Sequence, residues 1–205
     1  MSNRSQHFFI KGTAGRLECV LSLPENTPTG IALVAHPHPL YGGAMDNPVV
    51  QTLARVFTGL NYVSVCMNFR GVGRSEGAHD EGRGEADDMA LLLDHMKKEF
   101  PGLPVTLTGY SFGTYVLMLL QKQLAARGET PERMVLVAAT AGKWAVDTIP
   151  GNSDLIHGEQ DNLIPLNDLM AWVRPQDIPV IVIPGCDHFF SRKLHHLENI
   201  IPSLR

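Results

Sequence analysis

Short apolar runs rich in β-branched residues recur along this chain at IALVAH, YVSVCMNF, VTLTG, MVLVAAT, DLIHG and PVIVIPG. Segments with helical spacing separate them. Runs of this kind suit strands buried on both faces, and strands that alternate with helices need crossover connections. The chain is thereby constrained to a mostly parallel sheet with helices on both sides. HFFIKG and RLECVLSLP, which come before the alternation begins, read as a leading antiparallel pair. The spacing predicts helices over about 46–60, 85–100, 112–127, 166–173 and 191–201, with Asp46, Asn167 and Ser191 as caps. At 205 residues and 44% hydrophobic composition, one domain spanning 1–205 has apolar material enough for a sizeable core.

In such sheets ligands gather beyond the carboxyl ends of the strands. LTGYSFGTYV sits at such an end. Gly109 and Gly113 flank Ser111 where a strand-like run meets a helix-like run, the context in which G-x-S-x-G lifts a serine hydroxyl clear of the sheet. A bland alternative is a glycine-rich turn with a capping serine. What favours a nucleophile is that a serine hydroxyl needs a base, and the base an orienting acid; both partners follow in the order serine, acid, histidine. DLIHGEQDNLIP places Asp161 just beyond a strand, and PVIVIPGCDHFF places His188 in the loop after the last strand. Alone, Asp161 reads as a loop carboxylate and His188 as a structural histidine. Three residues of the right types at three strand ends read instead as Ser111 nucleophile, Asp161 orienter and His188 base. Asp187, adjacent to His188, points away from that ring in an extended loop.

GYSFG, HGEQDNLIP and GCDHFF, with NFRGVGRSEG resembling the loop after that superfamily's fourth strand, make the chain resemble the α/β-hydrolase superfamily over essentially its whole length. Within it the chain is most similar to small bacterial serine hydrolases related to dienelactone hydrolases and acyl peptidases. Dienelactone hydrolases carry a cysteine where this chain has Ser111, so their lactone chemistry is not implied. The resemblance implies a mostly parallel eight-stranded sheet, no cofactor, and a carboxylesterase-like reaction on a small ester or related acyl bond. It also implies two oxyanion donors, the N–H of Phe112 and one from the loop AHPHPLYGG. Pro37 and Pro39 have no N–H, which favours His38, with Leu40 and Tyr41 as alternatives. Larger relatives insert a lid where this chain has only TAGKWAVDTIPGNS. A cap domain does not fit there, so loops should rim the pocket, with Tyr41, Trp144, Phe112, Phe189 and Phe190 as apolar candidates and Trp144 the most exposed.

Other functions fit less well. A formal net charge of -4 and a pI near 6.1 offer no basic field for nucleic acid or anionic lipid. No run approaches the roughly 18 apolar residues of a membrane span, and MSNRSQHFFIKG has no apolar leader, which together predict a cytoplasmic protein. Cys19, Cys66 and Cys186 are odd in number and widely spaced, predicting reduced thiols. Zinc held by His36 and His38 would need a third ligand, and none is placed nearby in sequence. NFRGVGRSEG is one residue too long for G-x-G-x-x-G, and Arg70 within it reads as a tie for its own loop. The expected partner is a small acyl substrate, and a monomer or a homodimer accommodates it. Three rivals remain: a peptidase, an acyltransferase, and a non-catalytic binding protein on the same scaffold.

Overall fold

The structure, a computed structural model, describes residues 4–144, 146 and 148–204. Its eight strands are β1 (Arg4–Lys11), β2 (Arg16–Leu23), β3 (Gly30–Ala35), β4 (Tyr62–Met67), β5 (Val105–Tyr110), β6 (Arg133–Val137), β7 (Ser153–Gly158) and β8 (Val180–Ile183). They form one sheet in the order β1-β2-β4-β3-β5-β6-β7-β8. The first two pair antiparallel and β2 joins β4 antiparallel; all later pairings are parallel. This is the α/β-hydrolase architecture expected from the motifs.

Among the described residues five α-helices complete it: α1 (Pro48–Gly59), α2 (Arg83–Glu99), α3 (Phe112–Ala126), α4 (Leu166–Val173) and α5 (Leu194–Ile200). The central strand β3 shows why they must lie on both sides. All its residues are buried, with Ile31, Leu33 and Ala35 facing the core under α2, α3 and α4, and Ala32 and Val34 facing that under α1 and α5. Alternate side chains on a strand point to opposite faces, so an apolar strand of this kind has to be covered twice.

The three expected caps are displaced, each for a local reason. Helix α1 is capped by Asn47, whose Oδ1 accepts from Val49 N at 2.9 Å, and Pro48 fills the first helical position where no N–H is needed; Asp46 lies outside. At α4 the carbonyl of Pro165 accepts from Asp168 N and Leu169 N, so the helix begins before Asn167. Helix α5 starts at Leu194, because Phe190 and Arg192 adopt φ of 54° and 60°, which no α-helix contains.

Arg70 ties down its own loop, as its sequence context suggested. Its Nε donates to Asp88 Oδ2 at 2.8 Å, and its Nη2 to Gly84 O at 2.8 Å and Thr13 Oγ1 at 2.6 Å. That fixes the stretch after β4 against α2, beside the carboxyl ends of the strands.

Candidate active site

The turn from β5 to α3 is set by close backbone approach. A Cβ on Gly113 would lie 2.6 Å from the carbonyl oxygens of Ala35 and His36, so only glycine lets α3 start this close to β3. The left-handed residue in the turn is Ser111 itself, at φ 54° and ψ −126°. Such a conformation costs about 1–3 kcal/mol outside glycine and persists only where surroundings enforce it. Here Ser111 N donates to Val137 O at 3.0 Å, and Thr114 holds Ser111 O through its N at 2.8 Å and its Oγ1 at 2.6 Å. The result aims Oγ away from the sheet.

His188 Nε2 lies 3.0 Å from Ser111 Oγ, and its Nδ1 lies 2.7 Å from Asp161 Oδ2. A carboxylate only accepts, so the proton between them sits on Nδ1, and Nε2 is left to accept from the serine hydroxyl. The other oxygen of Asp161, Oδ1, accepts from Leu163 N at 2.9 Å and Ile164 N at 2.8 Å. Burial acts to raise the Asp161 carboxyl, but these hydrogen bonds and the neighbouring imidazoles outweigh it and hold the carboxyl below the usual carboxylate value. Asp187 takes no part: its Oδ1 accepts from Ser191 N at 2.9 Å.

The loops carrying the acid and the histidine are locked together at Gly158. A Cβ there would meet Cys186 O at 2.5 Å and Asp187 O at 2.9 Å. Tyr110 adds a tie that its position in the motif did not announce, donating its hydroxyl to His188 O at 2.9 Å from beneath the ring. Burial, followed by the charge of Asp161, pushes its phenol well above the usual value and keeps it a neutral donor.

A cavity of about 530 Å³ opens over Ser111, lined among others by His38, Tyr41, Phe112, Trp144, Leu163 and Phe189. Trp144 is not its most exposed ring. It is half-buried, edge-on to Phe112 with centroids 5.6 Å apart and packed on Tyr115 at 5.3 Å, whereas Tyr41 is 88% exposed and Phe189 63%. Phe190 is not in the cavity at all; it is fully buried on the α1/α5 side of the sheet. Residues 140–153, where a lid would be inserted, bring Thr140 and Trp144 to the cavity wall, with Ala145 and Asp147 outside the described residues.

In the loop after β3, Leu40 N donates to His38 Nδ1 at 3.2 Å and Tyr41 N to His38 O at 3.1 Å, so both alternatives to His38 as an oxyanion donor already serve the turn. His36 is wholly buried, with Nδ1 donating to Pro37 O at 2.7 Å and Nε2 accepting from Phe69 N at 2.9 Å. Both ring nitrogens are engaged in fixing this loop to the end of β4, which is not how a metal ligand is held. Burial pushes its pKa down to about 4.

A model of the family described as serine aminopeptidase, S33, matches residues 40–167. The chain belongs to this family of α/β hydrolases. Across 94% of its length it is 31% identical to an uncharacterized protein of Rickettsia prowazekii (strain Madrid E), of which the match covers 85%. Its fold superposes with a TM-score of 0.91 on the crystal structure of an α/β serine hydrolase without a lid from Xanthomonas campestris, at 30% identity and covering 99% of this chain and 94% of that one. An α/β serine hydrolase homologue from Coxiella burnetii is 31% identical, with a TM-score of 0.86 and coverage of 100% and 99%. The serine aminopeptidase, S33, family thus includes this chain as a small, lidless α/β hydrolase of bacterial type.

Proposed function

We propose that this hydrolase cleaves a small carboxylic ester through an acyl-enzyme on Ser111. As Ser111 Oγ attacks the carbonyl carbon, His188 Nε2 takes its proton, and Asp161 stabilises the imidazolium through Nδ1–H. The developing oxyanion is met by Phe112 N–H, at the start of α3 where the helix dipole adds to it, and by His38 N–H from the loop after β3. Collapse expels the alcohol, which takes the proton from His188. Water, deprotonated by His188 in turn, then releases the acid and restores Ser111. The observation that carries the reading is the pair of contacts at 3.0 and 2.7 Å linking a serine in a left-handed turn to an imidazole and a buried carboxylate. None of these steps needs a cofactor.

A peptidase reading has one observation in its favour, the description of the family model as a serine aminopeptidase. An aminopeptidase holds the substrate's free α-ammonium, and an anionic side chain is the natural partner for that charge. Among the described residues that line the cavity, none carries a carboxylate, which favours the ester. The test is a panel of p-nitrophenyl esters, a thioester and aminoacyl p-nitroanilides, run on the protein and on Ser111→Ala. Ester turnover that vanishes in the variant is expected. kcat/KM should peak at about two to four acyl carbons, without activation at an oil–water interface, because no lid supplies a long apolar wall. Faster cleavage of the anilides would give the site to the peptidase.

A further inference from the structure

His157, the residue before Gly158, is wholly buried near the end of β7 and has no part in the mechanism above. Its Nε2 lies 2.9 Å from Ile164 O and 3.7 Å from Asp161 Oδ2. A carbonyl can only accept, so the ring proton sits on Nε2. Nδ1 then presents a bare lone pair to the interior, and among the described residues it has no hydrogen-bond partner. Leaving a buried polar atom unpaired destabilises the fold, and a leucine here would avoid the penalty. What the imidazole adds is the donor to Ile164.

That donor acts on the acid. Ile164 N–H is one of the two that Asp161 Oδ1 accepts, so a single residue has its N–H on the carboxylate and its C=O on His157. On the outer side Leu163 is 64% exposed, so beyond its N–H on Asp161 its side chain adds little restraint to the turn. Burial lowers the basicity of His157, and a neutral ring does not compete with His188 for the charge of Asp161. We infer that His157 is a positioning residue for Asp161: its hydrogen bond to Ile164 fixes the turn that aims the carboxylate at His188. The inference rests on the proposed Ser111–His188–Asp161 mechanism.

Glutamine and asparagine separate this role from mere packing. The amide nitrogen of glutamine is as many bonds from Cα as Nε2 of histidine, and can reach Ile164 O; that of asparagine matches Nδ1 and cannot. With p-nitrophenyl acetate, His157→Asn should lower kcat by about 10²-fold, as for a misplacement near 1 Å, with KM within about twofold. His157→Gln should recover kcat to within about threefold of the parent protein, less than the tenfold that 1.4 kcal/mol represents. In an Asp161→Asn background, His157→Asn should cost less than about threefold more, since residues acting through one another are not additive. Four results would overturn the inference: a harmless His157→Asn, a His157→Gln no better than it, an undiminished loss in the Asp161→Asn background, or thermal melts showing that neither variant folds. Turnover surviving in Ser111→Ala would instead remove the mechanism itself. Loss in Ser111→Ala and Asp161→Asn but not in His157→Asn would remove only the role of His157.

Discussion

The His188–Asp161 and His79–Glu85 pairs have nearly the same geometry. His188 Nδ1 meets Asp161 Oδ2 at 2.7 Å, and His79 Nδ1 meets Glu85 Oε1 at 2.7 Å, both carboxylates being buried. What differs is the far side of each ring. His188 presents Nε2 to a serine hydroxyl in a left-handed turn, whereas His79 packs on the rings of His38, 4.8 Å away, and Phe112, 5.4 Å away. The carboxylates differ as well. Asp161 is held by two N–H groups of its own loop, while Glu85 closes the entry to α2 by accepting from Asp80 N at 3.0 Å and Gly82 N at 2.9 Å. In both places a carboxylate fixes the ring, but only at His188 does a hydroxyl stand at the other nitrogen.

The two pairs should separate most under substitution of Ser111 and of the carboxylates. Ser111→Ala should cost on the order of 10⁶ in kcat on an ester, as for the best studied triad serine, with the melting temperature little changed. Asp161→Asn should cost about 10⁴, the size of loss that an Asp→Asn change causes in a serine protease triad. The matching Glu85→Gln should move stability instead, by about 1–3 kcal/mol for a buried acceptor left imperfectly paired, with kcat within about tenfold. Equal losses of kcat in the two variants would erase the distinction between the pairs.

His36 is a buried histidine whose ring nitrogens meet only backbone groups among the described residues, Pro37 O and Phe69 N. Its folded pKa, lowered to about 4, lies below that of the unfolded chain, so it stabilises the native state above pH about 6.5 and that stability is lost as pH falls through about 4. The loss amounts to about 3 kcal/mol, from roughly 1.4 kcal/mol for each pH unit between those limits. Urea unfolding at pH 7 and pH 4 should reveal it, and His36→Asn should flatten the dependence. Asp187→Asn is the smallest change expected, within about 1 kcal/mol of stability for a carboxylate that caps its own turn, and with kcat near that of the parent. A loss of kcat like that of Asp161→Asn would transfer the acid to position 187.

Much of this was legible because the key residues sit where apolar strands stop. Ser111, Asp161 and His188 each follow such a run with glycine or proline nearby, so their arrival at one edge of the sheet follows from the alternation of strands and helices. The details between elements were not. That Phe190 turns inward while Phe189 lines the cavity depends on a left-handed residue that the sequence FF does not reveal. Trp144 is covered because Phe112 and Tyr115, on one face of α3, meet it from elsewhere in the chain. The tie from Tyr110 to His188 spans 78 residues and uses a hydroxyl that reads as a core ring. His157 stood inside the quoted motif, yet its role depends on the path by which the acid loop returns over β7.

The most direct measurement is covalent labelling by a fluorophosphonate, with the adduct located by mass spectrometry. Single modification of Ser111 in the native protein is expected, together with parallel loss of ester turnover, and none after Ser111→Ala. Labelling should slow sharply in Asp161→Asn and stay near the native rate in Glu85→Gln. An unlabelled Ser111 in folded protein, or a label on another residue, would contradict the assignment of this serine as the nucleophile.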